Sequence, residues 1–510
     1  MMKLRLFSLF FLSLAALPAA DYYLDASNGS DKANGLSEAT AWKSLQRLKK
    51  AVLEPGDTIY LRAGETFRGQ FYSSASGDKG NPIQVTRYGE GPKPQIAAQG
   101  QHKSAFFLEN VSHWIVDGIE ITNTGVEPEA KRRGVLVRAN GGGVYGNIVL
   151  RNLTVRDVNG SVSKAKGGGS GIRWEVIGKN QATRIDGLLI ENCHILRCDR
   201  DAIKGMMDPW DDLSNLSTNV VIRGNLLEDI GGDGIVPIGT DGALVEFNRL
   251  YRARQRINNI GERVVAEYAG PSVGIWPWSS KNTHVRFNEV WGYAGVFDGQ
   301  GFDSDFNCDG TLFEYNLSGN NAGGFFLICN WSKHQDSGQS IGNLNTIIRH
   351  NISFNDHVRG FVFNGPIENV KIQGNIIYNT IEDELQLIVD TPWDAGRHAQ
   401  SVEVTGNLFY TTGVARIYQG TWDSSSVGLW KAMKAINRDT FTFRGNGYSK
   451  VAGYKDQPHV EPGMQMLDEE ETLRSLIKRF DPYPEIRNNF DKMHQFLMGS
   501  RYWSELESAL

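Results

Sequence analysis

Cysteine is scarce in this chain, which has four cysteines in 510 residues: Cys193, Cys198, Cys308 and Cys329. Four are too few for a disulfide scaffold, and no cysteine or histidine spacing fits a zinc site. The sequence therefore predicts buried free thiols, the usual state of an unpaired cysteine in a folded core, and no metal ligand set.

Charge of one sign and long apolar runs are also scarce. The formal net charge is -5 with both signs interspersed, which argues against a nucleic-acid or anionic-membrane partner. The apolar run from Leu6 to Leu17 is shorter than the roughly 20 residues that span a bilayer, and it follows Lys3 and Arg5. This layout is typical of a secretory signal peptide, so we predict a signal peptide over residues 1–20 and a secreted or periplasmic protein.

A repeated phrase, apolar-x-apolar-x-x-Asn-x-apolar, runs through a chain that is rich in glycine, with 57 residues. Its copies lie 23 to 40 residues apart, so one structural unit recurs with loops of different length between copies. The asparagines of the ten copies are Asn152, Asn192, Asn225, Asn248, Asn288, Asn316, Asn351, Asn375, Asn407 and Asn446.

A second phrase, Gly or Ala followed by an apolar residue, opens a short strand between successive asparagine phrases. Two short strands per repeat and a recurrent turn asparagine predict an all-β fold, a single-stranded right-handed parallel β-helix. In this solenoid the asparagine side chains would hydrogen-bond along the stack. The second phrase opens at Gly134, Gly171, Ala202, Gly234, Gly274, Gly301, Gly324 and Gly360.

Helical patterning is confined to the two ends of the chain. Over residues 39–52, one helix face would carry Trp42, Leu45, Leu48 and Val52. This pattern predicts an N-terminal helix that caps the open end of the solenoid.

The C-terminal tail has the same character. Residues 468–480 and 484–498 predict two amphipathic helices that pack on the opposite end of the solenoid or along its side. The predicted organisation is an N-terminal cap with first coils over 21–105, a catalytic β-helix over 106–450 and a helical tail over 451–510.

The alternation of side chains along a strand fixes which residues of the second phrase face outward. The residue after each Gly or Ala is apolar, so its neighbours point away from the solenoid core. Asp303 and Asp305 are predicted to share the outward face of one strand, with Cα atoms about 6.6 Å apart. Asp298 and Asp309 are predicted to be turn residues. The predicted outward field is Arg173, Glu175, Asp201, Lys204, Asp233, Trp276, Trp278, Asp303 and Asp305.

Two interpretations of this field stand side by side. A lone outward carboxylate is ordinarily just solvated, but like charges on adjacent positions repel each other, which favours a functional cluster. Trp276 and Trp278 either cover an inserted loop or stack on a sugar ring, as amphipathic aromatic side chains do.

The opening segment, "YYLDASNGSDKANGLSEATAWKSL" followed by "PGDTIYLRAGETFRG", resembles the cap and first coil of secreted bacterial β-helix enzymes. These belong to the pectin-lyase-like group of carbohydrate-active enzymes, which contains polygalacturonases, other glycoside hydrolases and polysaccharide lyases. In polygalacturonase-like members, carboxylates on successive coils perform the chemistry, so the resemblance implies that Asp233, Asp303 and Asp305 are catalytic.

The resemblance to polygalacturonases is incomplete, because their Gly-His-Gly and Arg-x-Lys signatures are missing from the matching coils. The segment "GFDSD" followed by a cysteine is similar to the α-fucosidase- and xylanase-like β-helix hydrolases. This similarity implies a neutral or deoxy sugar rather than galacturonan.

The predicted reaction is glycoside hydrolysis by a pair of aspartates. One carboxyl group protonates the leaving oxygen while the other activates water, and inverting enzymes hold the two about 6.5–9.5 Å apart. Asp303 paired with Asp305, or with Asp233 two coils away at about 9.6 Å, satisfies that spacing. We therefore predict an inverting hydrolase of a polysaccharide or oligosaccharide that requires no cofactor. The sequence indicates no oligomeric state.

A polysaccharide lyase is the second hypothesis. β-Elimination needs a base together with positive charge or Ca²⁺. Lys204 and Arg173 would supply the base and the charge, and Asp201 and Asp233 would hold calcium. In a hydrolase, the same two cations would bind an anionic group of the sugar or form a salt-bridge ladder with Glu175 and Asp201.

A non-catalytic glycan-binding β-helix is the third hypothesis. Such proteins present regular coils with short turns. Here, the long insertions 206–219 and 252–272 flank the acidic coils, as the walls of a groove would. This contrast favours an enzyme.

Overall fold

A computed structural model describes most of the chain: residues 19–178, 182–254, 270–295, 298–381, 383–392, 396–422, 430–480 and 484–509. The predicted signal peptide therefore lies outside the described residues, apart from its last two positions. Among the described helices, none is both long and apolar enough to cross a membrane.

The strands form three faces around one apolar core and pair in parallel, apart from the antiparallel pair of Ala415–Trp422 with Trp430–Lys434. This arrangement confirms the predicted right-handed parallel β-helix. Each regular coil contributes one strand to each face. The prediction of two strands per coil was wrong because the asparagine phrase contains two strands separated by a corner, as in Ser217–Arg223 followed by Leu226–Glu228.

We name the three faces the site face, the middle face and the helix face. The strands of the site face are Phe71–Ser73, Ser104–Glu109, Arg133–Asn140, Ser170–Ile177, Asp201–Lys204, Met207–Asp208, Ile235–Val236, Gln300–Ser304, Gly324–Cys329, Arg359–Asn364, Leu385–Thr391, Ala415–Trp422, Trp430–Lys434 and Val451–Gly453. The strands of the middle face are Asp21–Leu24, Thr58–Arg62, Ile83–Tyr88, Ser112–Asp117, Gly143–Arg151, Thr183–Glu191, Ser217–Arg223, Thr240–Asp241, Leu244–Glu246, His284–Arg286, Cys308–Asp309, Leu312–Glu314, Asn343–Leu344, Ile347–Arg349, Ile367–Gln373, Gln400–Thr405 and Phe441–Arg444. The strands of the helix face are Thr66–Arg68, Gln95–Ala97, Glu120–Asn123, Thr154–Val158, His194–Cys198, Leu226–Glu228, Arg249–Tyr251, Glu289–Trp291, Leu317–Gly319, Ile352–Phe354, Ile376–Asn379, Leu408–Thr411, Gly447–Tyr448 and Gln465–Met466.

Within the described residues, the α-helices are Leu45–Leu48, Ser332–Asp336, Leu473–Lys478, Pro484–Leu497 and Trp503–Ala509, and the 3-10 helices are Glu38–Thr40 and Tyr454–Asp456.

A buried asparagine ladder runs along the corner between the middle face and the helix face. Each Nδ2 donates to the Oδ1 of the asparagine one coil further at 2.9–3.0 Å. At its end, Glu461 Oε1 accepts from Asn446 Nδ2 at 2.8 Å. The ladder consists of Asn225, Asn248, Asn288, Asn316, Asn351, Asn375, Asn407 and Asn446.

The residue before each ladder asparagine has left-handed backbone geometry, with φ from +51° at Phe287 to +65° at Gly445. Asn152 and Asn192 occupy this corner position rather than the ladder, with φ of +54° and +53°. Their assignment to the ladder was therefore wrong. Asparagine tolerates left-handed geometry better than most residues. The repeated phrase therefore has two adjacent positions that favour asparagine, the left-handed corner and the ladder position after it.

We expect Asn316→Ala to destabilise the fold strongly for a single side chain. Asn316 Oδ1 accepts from Asn288, and its Nδ2 donates to Asn351. Each buried polar group left without a partner costs about 1–3 kcal/mol. Chemical denaturation should show this loss, with Asn81→Ala at an exposed turn as the near-neutral control. Equal losses in the two variants would contradict a stabilising ladder.

The N-terminal helix is shorter than predicted. The hydroxyl of Ser44 caps a helix of four residues, Leu45–Leu48, while Asp31 Oδ1 accepts from the backbone N–H of Lys43 and Ser44 at 2.9 Å. These contacts hold the preceding residues extended. Trp42 is nevertheless buried in the core, as predicted. Val52 is exposed, so the prediction that Val52 lies on the buried face was wrong.

The tail packs along the side of the solenoid, the second of the two predicted locations. Its helices cover aromatic side chains of the helix face, with Leu476, Phe490 and Met493 buried against that surface. A third helix, Trp503–Ala509, was not predicted. The four cysteines are free and buried, as predicted.

Candidate active site

The predicted side-chain directions on the site face are confirmed up to the strand Gln300–Ser304. Arg173 pairs with Lys204, and Lys204 pairs with Val236. Single bridges then join Ile235 to Ile275 and Ile275 to Phe302. Irregular backbone at the coil of Ile275 thus separates two regular parts of the face, and the acidic residues gather there.

The predicted alignment fails by one residue at the next coil. Aligning Gly324 with Gly301 would place Phe326 opposite Asp303. Instead, Gly324, with φ of +114°, pairs with Gln300, so Leu327 stands opposite Asp303. As a result, Phe326 faces the core. Leu327 and Cys329 join a separate apolar cluster on the outer side.

Asp233 is a fully buried carboxylate held by cations. Its Oδ2 accepts from Arg200 Nη2 at 3.1 Å and from Lys204 Nζ at 3.2 Å. Its Oδ1 accepts from the Val273 N–H and from Trp276 Nε1 at 3.1 and 3.2 Å. Burial pushes the pKa of Asp233 upward, but Arg200 and Lys204 hold it well below its usual range. Asp233 is therefore ionised, and its carboxylate is occupied by four donors.

Glu175 forms a second buried cluster of the same type. Its Oε1 accepts from Arg133 Nη2 at 2.5 Å and from Arg173 Nε at 2.9 Å, and its Oε2 accepts from Arg138 Nη2 at 2.9 Å. Burial raises the pKa of Glu175, but the three guanidinium groups lower it further, and the net shift is downward. This carboxylate also stays ionised.

Asp201 and Lys204 connect these two clusters. Lys204 Nζ lies 3.4 Å from Asp201 Oδ1, and Arg173 Nη1 lies 3.9 Å from Asp201 Oδ2. The prediction of an exposed field was wrong here, because Glu175, Asp201 and Asp233 are 3%, 3% and 0% exposed. These residues point away from the core, as predicted, but they are buried among the arginine and lysine side chains that bind them. The salt-bridge ladder is the interpretation that fits their geometry.

Trp276 is also buried rather than on the surface. It is 3% exposed, donates its indole N–H to Asp233, and has Lys164 Nζ and Lys204 Nζ at 5.0 and 5.6 Å from its ring. Its assignment as an exposed platform was therefore wrong. Trp278 is partly exposed, as a sugar platform requires.

Trp278 belongs to an aromatic wall at the edge of the site face. Trp278 and Trp210 stack at 5.4 Å and 24°, and Phe306 and His334 stack at 5.4 Å and 24°. Trp331 meets His334 edge-on at 4.4 Å. All five side chains are partly exposed. Sequence reasoning found Trp278 but missed Trp210, Phe306 and Trp331, because these three side chains lie outside the strand phrase.

Three further carboxyl groups meet beside this wall, and each has a raised pKa. Burial is the main cause for Asp298, Asp303 and Asp305. Repulsion by neighbouring carboxylates adds to it: Asp233 acts on Asp298, Asp305 acts most on Asp303, and Asp298 acts on Asp305. Lys164 opposes the upward shift at all three positions. The pKa of Asp305 rises to about 6, so this carboxyl group is able to exchange a proton near neutral pH.

Asp298 was assigned to a turn, and its presence in the cluster was not foreseen. The residue does have turn geometry, with φ of +57°, and it stands outside the strand whose alternation guided the prediction. Gly299, which follows it, has φ of +75°, and this glycine is the sequence feature that marks the departure from extended backbone here. Asp309 was also assigned to a turn, and this assignment was wrong, because Asp309 is the last residue of the strand Cys308–Asp309. Its Oδ1 accepts from Asn345.

The three carboxyl groups differ in access to solvent. Asp303 is 3% exposed, and its buried Oδ1 accepts no hydrogen bond from the described residues. Asp298 and Asp305 are both partly exposed. A substrate in the groove would therefore meet Asp298 and Asp305 before it met Asp303.

Asp303 and Asp305 are closer together than their Cα spacing indicated. One oxygen from each carboxyl group and the sulfur of Cys329 lie within 4.8 Å of one another. This distance is shorter than the roughly 6.5 Å minimum that inverting hydrolases use to admit a water molecule. The pair Asp303 and Asp305 therefore does not have inverting geometry.

One predicted groove wall is only partly visible. The insertion 206–219 is described and carries Trp210 to the aromatic wall. Most of the insertion 252–272 lies outside the described residues, since the description stops at 254 and resumes at 270.

The chain is similar to lacto-N-biosidases. It is 28% identical to a lacto-N-biosidase of Bifidobacterium longum subsp. longum over an alignment of 446 residues, which covers 70% of this chain and 27% of that protein. The chain thus spans about a quarter of the length of the curated relative it matches. No protein-family model matches the chain.

Solved structures of a GH136 lacto-N-biosidase from Eubacterium ramulus have the same fold. The selenomethionine form matches with a TM-score of 0.61 and 23% identity, covering 76% of this chain and 67% of that one. The native form matches with a TM-score of 0.57 and 25% identity, covering 71% and 64%. A solenoid of this type is therefore shared with known carbohydrate-active enzymes.

Proposed function

We propose that this chain is a glycoside hydrolase that cleaves an oligosaccharide, with Asp305 and Asp298 as the reacting carboxyl groups. The observation that carries the proposal is the partly exposed carboxyl group of Asp305, which has a pKa of about 6. It lies beside a second carboxyl group with a raised pKa, that of Asp298, and beside the aromatic wall. Similarity to lacto-N-biosidases supports hydrolysis over elimination.

Asp305 and Asp298 have different roles in the proposed reaction. Above pH 6 Asp305 is mainly ionised and serves as the nucleophile, while Asp298, whose pKa burial also raises, protonates the leaving oxygen. Water then releases the sugar from Asp305, and Asp298 takes the proton of that water. Asp303 was predicted to react directly, but its low exposure supports a role behind Asp305 instead.

The buried ionic network supplies the floor of the proposed site. Asp233, predicted as a catalytic partner, would fix Lys204 and Trp276 in place, because it contacts both. Lys204 and Arg173 are bound by carboxylates, which leaves neither as an unengaged base for β-elimination. Trp278 and its aromatic neighbours would stack on the sugar rings.

The proposed substrate is a lacto-N-biosyl glycoside, the class named by the relatives. The test is incubation of the purified chain with an aryl lacto-N-bioside, xylosides, fucosides and uronate polymers. Released sugar and unsaturated uronate would be measured in parallel. We expect release of the disaccharide without unsaturated product. The first-formed anomer, followed by NMR, should retain its configuration, because attack by Asp305 and then by water on the glycosyl-enzyme ester inverts the anomeric centre twice.

Calcium is the remaining cofactor question. The sequence allowed calcium at Asp201 and Asp233, but cations of the chain engage the carboxylate oxygens of both residues. We therefore expect a chelator to leave activity unchanged. Unsaturated uronate that depends on Lys204 and calcium would overturn the proposal in favour of a lyase. Sugar binding without any product would favour the non-catalytic alternative.

A further inference from the structure

We propose that Cys329 is a positioning residue whose thiol fixes one oxygen of Asp305 and leaves the other oxygen free to face the substrate. The inference rests on the proposed role of Asp305 in hydrolysis. It adds a function for a cysteine that the sequence assigned only to the core.

The hydrogen bonds of Asp305 are strongly asymmetric. Its Oδ1 accepts from Cys329 Sγ at 2.8 Å and from the backbone N–H of Phe306 at 2.7 Å. No described residue donates to Oδ2. A carboxylate held in this way cannot rotate without breaking both bonds, so the free oxygen keeps a fixed direction toward the groove.

Cys329 reaches Asp305 from the neighbouring coil. The strand Gly324–Cys329 pairs with Gln300–Ser304, with Ile328 opposite Ser304, so the next residue of each strand, Cys329 and Asp305, stand side by side. Cys329 is 4% exposed. Burial raises the pKa of its thiol well above the usual range, and the charges of Asp305 and Asp303 raise it further. The sulfur therefore keeps its proton and acts as a donor.

Packing is the competing explanation for this cysteine. Cys329 belongs to an apolar cluster with Leu327 and Val362, and a buried thiol often serves as a small hydrophobic group. The two roles differ in one consequence. A methyl group would fill the space equally well, but only a donor favours the ionised form of Asp305.

The first experiment compares the pH profiles of Cys329→Ala and Cys329→Ser on the aryl lacto-N-bioside. The groups that face Asp305 are Cys329, Asp298, Asp303, Lys164 and Cys308, and the other four are unchanged in both variants. Loss of the donor should move the acid limb of kcat/KM from near pH 6 to about pH 7. Activity of Cys329→Ala should then fall about fivefold at pH 6 and little at pH 8. Serine keeps a donor and should restore the wild-type profile.

The second experiment does not require activity. In the folded protein the raised pKa of Asp305 makes stability fall as pH rises from about 4 to 6. In Cys329→Ala the stability should go on falling to a higher pH, because the pKa of Asp305 is raised further. When Asp305 is replaced by asparagine, the stability should depend on pH in the same way with alanine or cysteine at position 329. Thermal unfolding of the four proteins across this range provides a double-mutant cycle.

The two experiments separate failure of the inference from failure of the proposed function. The inference would be overturned if the double-mutant cycle showed no coupling between Cys329 and Asp305. An active Cys329→Ala enzyme with an unchanged pH profile would overturn it as well, since Cys329 would then have only a packing role. Coupling in a protein without hydrolase activity would support the contact but remove its catalytic meaning. Cys198→Ala, a change at a buried cysteine several coils away, is the control for cavity effects.

Discussion

Asp305→Asn is expected to lower kcat/KM at least about 10³-fold and to raise thermal stability. The loss follows from removal of the proposed nucleophile. Asparagine has nearly the same shape as aspartate, so the contact with the Phe306 N–H can persist through its carbonyl oxygen. Initial rates on the aryl lacto-N-bioside should reveal the loss.

The gain in stability follows from the sign of the pKa shift. Because the folded-state pKa of Asp305 is raised to about 6, the folded protein binds more protons than the unfolded chain between about pH 4 and 6. Stability therefore falls as pH rises through this window. The asparagine variant lacks that loss, so its Tm should exceed that of the wild type above pH 6 and approach it near pH 4.

Asp309→Asn is the matched control, since Asp309 lies in the same acidic segment but ends a strand of the middle face, where its Oδ1 accepts from Asn345. It should change neither the rate nor the pH dependence of stability. Full activity in Asp305→Asn would contradict its proposed role. In that case, loss of activity in Asp303→Asn would return the reaction to the residue that the sequence favoured.

Asp233→Ala should have the largest effect on stability. This carboxylate is fully buried and is the shared partner of Arg200 and Lys204. Its removal leaves two buried cations without that partner, and breaking a buried ion pair costs about 3–5 kcal/mol. Urea denaturation should show the loss, together with reduced activity, because Trp276 and Lys204 lose their anchor.

The pH dependence of Asp233 has the opposite sign to that of Asp305. Its folded-state pKa is depressed, so its stabilising contribution is present above the ordinary pKa of aspartate and is lost as pH falls toward the folded value. Asp241→Ala is the control, because Asp241 accepts one bond from Asn282 in an exposed contact. Similar losses for the two variants would show that the buried ionic network contributes little.

Most of the fold could be predicted from the sequence because strand alternation and the asparagine ladder both leave periodic traces. The prediction failed where two positions favour the same residue type. Asn192 stands at the left-handed corner, and Cys193 occupies the ladder position beside Asn225. From a single sequence, an asparagine at the left-handed corner cannot be distinguished from an asparagine in the ladder.

The candidate site was harder to predict because its residues leave the regular strand pattern. Alternation identified Asp303 and Asp305 but could not include Asp298, which has left-handed backbone geometry and lies outside the strand. It also fixed the direction of Asp201 and Glu175 relative to the core without indicating that both are buried. Their burial depends on side chains from neighbouring coils, and these contacts leave no local pattern in the sequence.

The asparagine ladder keeps the same contact between successive coils although the loops between its asparagines differ in length. Neighbouring ladder positions are 23 residues apart between Asn225 and Asn248, and 40 residues apart between Asn248 and Asn288, yet both pairs make the same 2.9 Å contact. Loop length is therefore uncoupled from coil stacking. Segments such as 206–216 are natural exchange points, where grafting a loop from another solenoid would alter sugar preference while the framework stays intact.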